Sequence, residues 1–241
     1  MKALLSSSFT LDWLYPPLCS LCQTSLRGGL NICQPCRANL PRLPDSSCLK
    51  CGQTFDGALT APNQCPNCLD LKPQFDFATA ALKSNDDTIS LIHHLKLLKR
   101  PELSEDLVQI AVPEFRNETR FTDLDNPIVI PVPLHGQRYR ERGFNQAETL
   151  ARPLARELQF DFLNALKRVR ATPRQATLSR RERLKNLKKA FQLRVNPEKL
   201  TDRNLIIIDD VFTTGSTTQE CARALRLAKP RKIAVFTIVR A

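Results

Sequence analysis

The chain has 241 residues, with 36 Lys or Arg against 24 Asp or Glu, which gives a formal net charge of +12. This length suits one large domain and a small one. The positive charge favours polyanionic partners such as nucleotides, nucleic acid or anionic membrane surfaces, and a solvated basic surface without a specific partner is the alternative. We expect no transmembrane segment, because no apolar run approaches the roughly 20 residues of a membrane span. Residues 1–17 also lack the apolar core and cleavage site of a secretory signal, so we expect a cytoplasmic location.

A cysteine-rich segment comes first. Eight of the nine cysteines form four pairs with a two-residue spacer: Cys19 and Cys22, Cys33 and Cys36, Cys48 and Cys51, and Cys65 and Cys68. Two such pairs can bind one tetrahedral Zn²⁺, and a site of four thiolates leaves no position open for water. The pattern therefore predicts two structural zinc ions. The short intervals favour sequential ligand sets, the first four cysteines and then the last four, and an interleaved cross-brace pairing is the alternative.

A disulfide framework is the competing interpretation of these cysteines, but the cytosol keeps thiols reduced. A unit this small needs metal binding to fold. Near residue 73 the cysteine-rich pattern ends and aliphatic runs begin to alternate with helical patterns. We therefore expect a double zinc-ribbon domain over residues 1–72 and a second domain over residues 73–241. The ninth cysteine, Cys221, lies among alanines and leucines in a helical pattern and is expected to be a buried apolar residue.

From residue 73 onward, aliphatic runs alternate with helical patterns, which predicts βα units and a mostly parallel sheet flanked by helices. The expected strands are residues 77–81, 128–133, 205–208 and 233–239, and the expected helices are residues 88–99, 145–158 and 218–227. Pro153 should kink the second helix, because it removes a backbone hydrogen bond. Thr217 and Glu220 have the spacing of a capping box at the start of the third.

Residues 205–217 read LIIIDDVFTTGST and form the most specific motif. Four aliphatic residues indicate a strand buried on both faces, and ligands of parallel sheets bind beyond the carboxyl ends of such strands. The glycine, the hydroxyl side chains and the helix N-terminus that follow predict an anion site; a ligand-free turn is the alternative. Asp209 and Asp210 repel each other without partners, and they reach one ligand only if the strand has begun to turn there.

This motif resembles the site for phosphoribosyl pyrophosphate (PRPP) in type I phosphoribosyltransferases. The resemblance implies the type I phosphoribosyltransferase fold, of the α/β class, with PRPP or a related nucleotide as ligand and Mg²⁺ as its companion ion. Asp209 and Asp210 would hold the ribose hydroxyls. The residues that would bind the 5-phosphate are Thr213, Thr214, Gly215, Ser216 and Thr217.

A second resemblance covers nearly the whole chain. The segments PVPLH at 131–135 and RGFNQ at 142–146 are similar to those of the ComF family of competence proteins, which place Cys-pair zinc modules ahead of a phosphoribosyltransferase domain. So are several positions further on: Arg168, Arg170, Thr172, Gln175, Leu178, Ser179, Arg183 and Asn186. The resemblance implies a pyrophosphate-contacting loop at Pro133. It also includes Lys96, an anion contact or a solvated helix lysine, although this chain continues with LLK where the family has Tyr and soon a Gly.

The stretch from Lys167 to Lys189 contains ten basic residues and one acid. It resembles the flexible loop that closes over the active site in the ComF family, and a mobile solvated loop or a nucleic-acid contact is the alternative. In the catalytic interpretation, Arg142 and loop arginines such as Arg170 would neutralise pyrophosphate, since guanidinium groups bind phosphate oxygens in pairs.

The sequence therefore predicts two alternative functions. The first is an enzyme that transfers a phosphoribosyl group from PRPP, with Mg²⁺, to a nitrogen acceptor that the sequence does not identify. The second is a non-catalytic nucleotide sensor whose zinc ribbons and basic surface engage single-stranded DNA or DNA-uptake proteins. The ComF resemblance, which implies a role in DNA uptake or utilisation, fits both.

Overall fold

The computed structural model describes residues 16–26, 29–44, 46–54, 65–66, 68, 73–170 and 187–241. The strands are β1 (Phe77–Lys83), β2 (Ile128–Pro131), β3 (Asp161–Phe162), β4 (Leu166–Arg168), β5 (Phe191–Leu193), β6 (Asn204–Phe212) and β7 (Lys232–Arg240). The helices are α1 (Gln34–Asn39), α2 (Asp86–Lys96), α3 (Leu103–Asn117), α4 (Thr119–Thr122), α5 (Gly136–Arg142), α6 (Gln146–Leu158) and α7 (Ser216–Arg226). A short 3-10 helix lies at Pro197–Lys199.

Five strands form one sheet in the order β1-β7-β6-β2-β3, and every neighbouring pair is parallel. Strands β4 and β5 form a separate antiparallel pair. The predicted fold class, a mostly parallel sheet flanked by helices behind a cysteine-rich front end, is confirmed. Strand β6 continues four residues past the expected residue 208, because β7 runs beside it and pairs Asp209 with Thr237 and Phe212 with Arg240.

The side chains of β6 alternate between two cores, as expected for a strand buried on both faces. Ile206 and Ile208 pack in the core that also contains residues of α3 and α6. Leu205 and Ile207 pack in the core that contains residues of α7. Cys221 of α7 is fully buried in this second core, which confirms the prediction that it is a buried apolar residue.

The two halves of the cysteine-rich segment pack into different cores. Ile32 and Leu40 of the first half belong to the core of α3 and α6, whereas Cys48 and Cys51 of the second half belong to the core of α7. The chain between the halves runs along the free edge of β1, where the amide of Lys83 donates to the carbonyl of Pro41 at 2.9 Å. An exposed strand edge would invite pairing with another chain, and this segment covers it.

The helix boundaries differ from the sequence prediction at several points. Helix α2 begins earlier than expected, because Asn85 and Thr88 form a reciprocal capping box, and it ends at Lys96. The capping box predicted for Thr217 and Glu220 is wrong. Gly215 occupies the N-cap position of α7 without a side-chain cap, and the carboxylate of Glu220 accepts from the amide of Lys189 instead. Helix α6 continues through Pro153 to Leu158, so the proline does not end the helix, and the kink stays a prediction.

Much of the predicted basic loop, residues 171–186, lies outside the described residues. The chain on either side of residues 171–186 includes the antiparallel pair β4–β5, which packs against α7. No helix in the described part of the chain combines the length and the apolar character that crossing a bilayer requires.

Candidate functional site

The cysteine sulfurs form two compact groups. Within each group the four Sγ atoms lie within 4.8 Å of one another, and the groups are Cys19, Cys22, Cys33 and Cys36 (the first cysteine set) and Cys48, Cys51, Cys65 and Cys68 (the second cysteine set). A tetrahedral zinc with Zn–S bonds of about 2.3 Å separates its sulfurs by about 3.8 Å. The Sγ atoms of Cys22 and Cys33 are 3.6 Å apart, as are those of Cys51 and Cys65. The donor sets therefore fit two structural zinc ions, and they are sequential, not interleaved.

Each set begins with the same zinc knuckle, defined here as residues 18–25 in the first set and 47–54 in the second. A single antiparallel bridge closes each one, between Leu18 and Ser25 and between Ser47 and Thr54. The turn requires a positive φ at its sixth position, which Gln23 adopts at 60° and Gly52 at 66°. At Gly52 a Cβ would lie only 3.4 Å from the carbonyl oxygen of Ala78 in β1. The second knuckle thus lies directly against the sheet.

The thiols within each set differ in pKa. Hydrogen bonding to Thr24 lowers the pKa of Cys22 to about 6, and hydrogen bonding to Cys68 lowers the pKa of Cys51 to about 5. Hydrogen bonds from neighbouring thiols and burial raise the pKa of Cys36 and Cys68. Four adjacent thiolates repel one another, so full deprotonation of each set calls for a bound cation such as Zn²⁺.

The acid pair predicted to hold a ribose lies inside β6, not beyond it. Asp209 and Asp210 are 8% and 2% exposed, and the strand continues to Phe212. Alternation directs the two side chains to different faces: Asp210 contacts Lys96 and Gln146, whereas Asp209 lines the pocket of the loop that follows. The condition for both aspartates to reach one ligand, a turn of the strand at that point, is therefore not met within β6. The two residues nevertheless interact locally, because Asp209 Oδ1 accepts from the backbone amide of Asp210 at 3.0 Å.

The pKa values of the two carboxyl groups are shifted in opposite directions. Burial raises the pKa of Asp209 well above its ordinary value, and the charge of Asp210 adds to the rise. Burial would also raise the pKa of Asp210, but the ammonium group of Lys96 and hydrogen bonds from Asp209, Lys96 and Gln146 together lower it. Two adjacent buried carboxyls do not both ionise readily without partners, so the environment favours the protonated form of Asp209 and the charged form of Asp210.

Two side chains, those of Lys96 and Gln146, contact Asp210, and Arg142 contacts Gln146. Lys96, at the end of α2, forms an ion pair with Asp210 while a quarter of its own side chain stays exposed. Gln146, the first residue of α6, donates to Asp210 Oδ1 at 3.3 Å and accepts from Arg142. Gly143, with φ of 89°, ends α5 directly after Arg142 and turns the chain toward α6. Burial lowers the pKa of Arg142 while Asp210 opposes the fall, and a guanidinium remains charged in proteins.

The loop that follows β6 has the geometry of an anion site. Gly215 has φ of 73°, and a Cβ on it would lie 2.6 Å from Cζ of Phe212, so only glycine fits there without a shift. The hydroxyls of Thr214 and Ser216 are 2.8 Å apart. Helix α7 begins at Ser216 and directs its free amides toward the same loop, which favours an anion. Asp209 and residues 211–218 line one small pocket there.

Two further predicted site residues are Pro133 and Arg170, and two residues of the site were not predicted. Pro133 follows β2 at the same edge of the sheet, where the amide of Val132 donates to the carbonyl of Ile208. Arg170 lies after β4, and its guanidinium donates to the carbonyl of Lys188, just before β5, at 2.8 Å, so this contact is with the chain beside the β4–β5 pair and not with an element that carries the acids. Gln146 and Arg240 were not predicted as site residues. Gln146 closes the RGFNQ segment and could have been found there, whereas nothing local marks Arg240.

A larger cavity, of about 480 Å³, lies at the other end of the strands. It is lined by Asp125, Asn126, Asp161, Asp202, Arg203 and Arg231, among others. Its charges are mixed, and it faces the amino ends of the strands. Parallel sheets bind ligands at the carboxyl ends, so the smaller pocket beside Asp209 is the candidate site.

Comparison with known proteins gives a family model, several relatives by sequence and a solved structure. A model of the double zinc ribbon domain matches residues 10–69. The chain is 36% identical over 214 residues to DNA utilization protein YhgH of Shigella flexneri, covering 87% of this chain and 91% of that protein. It is 32% identical over 226 residues to Competence protein F of Haemophilus influenzae, covering 92% and 96%. The crystal structure of hypoxanthine-guanine phosphoribosyltransferase from Schistosoma mansoni in complex with IMP matches 57% of this chain and 65% of that chain, at 11% identity and a TM-score of 0.30.

Fold and site together define a double zinc ribbon joined to a mostly parallel α/β domain with a buried acid pair at its carboxyl edge. The sequence identities and the coverage of these relatives are high enough to assign the chain to their family. The chain belongs to the family of DNA utilization protein YhgH and Competence protein F, which confirms the resemblance to the ComF family.

Proposed function

We propose that the carboxyl edge of the sheet binds PRPP or a related ribose 5-phosphate ligand together with Mg²⁺, and that the protein serves in the uptake or utilisation of DNA. The observation that carries the ligand assignment is the buried acid pair of β6 beside a glycine-centred loop and a helix N-terminus. The loop would bind the 5-phosphate through Thr213, Thr214, Gly215, Ser216 and Thr217. The relatives named for DNA utilisation and competence support the biological role.

Ligand binding requires a rearrangement of the ion pair of Asp210. Lys96 neutralises Asp210, so ribose hydroxyls must replace that contact or share it. Carboxylate oxygens suit Mg²⁺, and Asp209 and Asp210 are the residues that would lie nearest to it. The ion, when bound with the ligand, would neutralise negative charge on the phosphates.

The proposed reaction is phosphoribosyl transfer. The bond between C1 of the ribose and the pyrophosphate oxygen breaks, and pyrophosphate leaves with the electron pair. A nitrogen lone pair of the acceptor then forms the new C1–N bond, and the proton of that nitrogen passes to solvent. The protein contributes position and charge: Asp210 faces the positive charge that develops on the ribose, and Arg142 stabilises the departing pyrophosphate. Pro133 lies at the same edge and would shape the pyrophosphate loop, while Arg170 would contribute from the basic loop.

Titration calorimetry with PRPP and Mg²⁺ tests the ligand assignment. We expect binding by the wild type and no binding by a variant with Asp209→Ala and Asp210→Ala, with the zinc content unchanged. Asp125→Ala is the matched control, because Asp125 is an exposed acid before β2 at the opposite edge. Absence of Mg²⁺-dependent PRPP binding by the wild type would refute the assignment.

A sensor without transferase activity is the second candidate, because Lys96 already neutralises Asp210, the carboxylate that transfer would require to face the ribose. A pyrophosphate-release assay across a panel of nucleobases separates the two. Release with any base supports transfer, and PRPP binding without release supports the sensor.

The positive charge of the chain leads us to propose single-stranded DNA, or proteins of DNA uptake, as partners. The charged ends of the basic loop include Arg168, Arg170, Lys188 and Lys189. Anisotropy of a labelled oligonucleotide should show affinity that falls steeply with salt, because phosphate contacts release counterions. Salt-independent binding, or none, would contradict a phosphate contact.

A further inference from the structure

The second cysteine set lies close to the candidate phosphate loop, and a buried arginine joins them. Arg240, near the end of β7, is 5% exposed. Its Nε donates to the carbonyl of Cys51 at 3.0 Å, and its Nη2 donates to Gln53 Oε1 at 2.7 Å. Its Nη1 donates to the carbonyls of Phe212 at 2.9 Å and Thr213 at 3.0 Å. One guanidinium therefore contacts the second zinc knuckle on one side and the first residues of the loop on the other.

These contacts satisfy backbone carbonyls at the point where β6 ends. The carbonyl of Phe212 also accepts from the amide of Ala241 at 3.0 Å, and Thr213 lies beyond the last residue of the strand. A buried carbonyl without a donor is costly. Arginine has five N–H donors in a rigid plane, whereas lysine has a single ammonium on a flexible stem. Only arginine can reach both sides with a fixed separation between them.

The same contact extends to the glycine of the loop. The guanidinium carbon of Arg240 lies 5.0 Å from the centre of the Phe212 ring, and Phe75 packs edge-on against that ring at 6.0 Å. The Phe212 ring in turn occupies the space where a Cβ on Gly215 would lie. The second knuckle, Arg240, Phe212 and Gly215 are thus in contact one after another, and each fixes the position of the next.

The first cysteine set has a different attachment. Arg37 donates to the carbonyl of Ile32 at 3.1 Å and forms an ion pair with Asp106 of α3. The amide of Asn31 also donates to Asp106, and Asn31 and Ser20 accept from Arg100, which follows α2. Among the described residues, the hydrogen bonds of this set lead to α3 and to the segment after α2 and not to the loop after β6.

We infer that Arg240 is a positioning residue that makes the geometry of the phosphate loop depend on zinc in the second cysteine set and not on zinc in the first. This inference goes beyond a purely structural role for the metal and rests, for its ligand, on the proposed function. Loss of zinc from the second set frees Cys51 and Gln53 to move, and Arg240 then no longer holds the carbonyls of Phe212 and Thr213 in place.

Two matched pairs of variants in the full chain test it. Arg240→Gln removes the contact between the loop and the second knuckle and leaves every cysteine in place. Arg37→Gln likewise removes the contact between the first cysteine set and Asp106 of α3. Cys68→Ser and Cys36→Ser each remove the last ligand of one set. Zinc per chain is measured for all four, together with the affinity for ribose 5-phosphate and the amide hydrogen exchange of residues 213–216.

We expect Arg240→Gln to retain two zinc ions yet lose about tenfold in affinity, since small displacements of binding groups have large effects. Amide exchange at residues 213–216 should rise in Arg240→Gln and Cys68→Ser and stay unchanged in Arg37→Gln and Cys36→Ser. Arg240→Lys should restore only part of the protection.

Unchanged exchange in Arg240→Gln, or an equal rise in Cys36→Ser, overturns the inference. If Cys68→Ser does not fold, zinc is removed from the wild type and from Arg240→Gln with a chelator. Exchange at residues 213–216 should then rise in the wild type and change little in Arg240→Gln, and no rise in the wild type overturns the inference. If the wild type does not bind ribose 5-phosphate, the proposed function fails on its own, and amide exchange still decides whether Arg240 positions the loop.

Discussion

Replacing each acid of the β6 pair by its amide should change stability in opposite directions. Asp209 has a raised pKa, so its contribution to stability is fully present below its unfolded pKa of about 3.9. That contribution is lost as the pH rises through the folded pKa. Asn at this position does not titrate, so Asp209→Asn should become more stable than the wild type as the pH rises across this window. Asp210 has a lowered pKa, and its contribution is present above the unfolded pKa and lost only as the pH falls through the folded one.

The magnitudes follow from burial. Relieving an unfavourable group commonly gains about 0.5–2 kcal/mol, or about 2–4 °C in Tm per kcal/mol for a chain of this size. Asp210→Asn instead leaves Lys96 without its partner. Breaking a fully buried pair costs about 3–5 kcal/mol, and because a quarter of Lys96 is exposed we expect about 2–3 kcal/mol.

Thermal unfolding followed by circular dichroism at about pH 6, 7.5 and 9 measures both effects while the zinc thiolates stay deprotonated. All three pH values lie above the unfolded pKa of about 3.9, so Asp209→Asn should be more stable than the wild type and Asp210→Asn less stable. Zinc content is the control for each protein. Two variants that lose the same stability at every pH would refute the opposite shifts of the two pKa values.

Four further predictions concern single features. Gly215→Ala should destabilise the chain by about 1–3 kcal/mol, because a Cβ at φ of 73° meets the Phe212 ring at 2.6 Å; chemical denaturation measures this, and an unchanged midpoint would contradict the crowding. Metal analysis should find two zinc ions per chain after denaturation, and one or none would contradict two sites of four cysteines each. Cys221, whose thiol pKa is raised by burial, should react with a thiol reagent only after unfolding, and rapid native labelling at this position would show that the helix opens. Lys96→Gln should lower the unfolding midpoint much as Asp210→Asn does, and the double variant should lose little more, because both changes remove the same ion pair; full additivity would show that the pair contributes nothing.

The local parts of this molecule could be predicted from its sequence. Each zinc knuckle closes within eight residues, and the spacing of its cysteines already determines that two thiols converge. The aliphatic run of β6 predicts a doubly buried strand because side-chain alternation needs no knowledge of the neighbours. The turn at the loop could likewise be predicted from its glycine, because a positive φ such as that of Gly215 excludes most other residues.

The parts set by distant partners could not be predicted. The length of β6 depends on β7, and Asp209 stays in the ladder because it pairs with Thr237. The state of Asp210 depends on Lys96, more than a hundred residues earlier in the chain. The capping box at Thr217 and Glu220 had the right spacing, but the loop ends at Gly215 and Glu220 bonds to the chain beside β5 instead. Spacing shows what a residue can do, and the tertiary contacts select among those roles.

Strand β7 is held at both ends, and this limits how its length can change. At its start, Asp76 accepts from the amide of Ile233 at 2.7 Å and donates its own amide to the carbonyl of Ile233 at 2.7 Å. At its end, Arg240 pairs with Phe212. A strand alternates its side chains with a period of two, so inserting or deleting one residue between these points would turn every later side chain to the other face. Homologous chains should therefore vary in length outside the interval from residue 232 to residue 240 and not within it, because no slack exists there to absorb an extra residue.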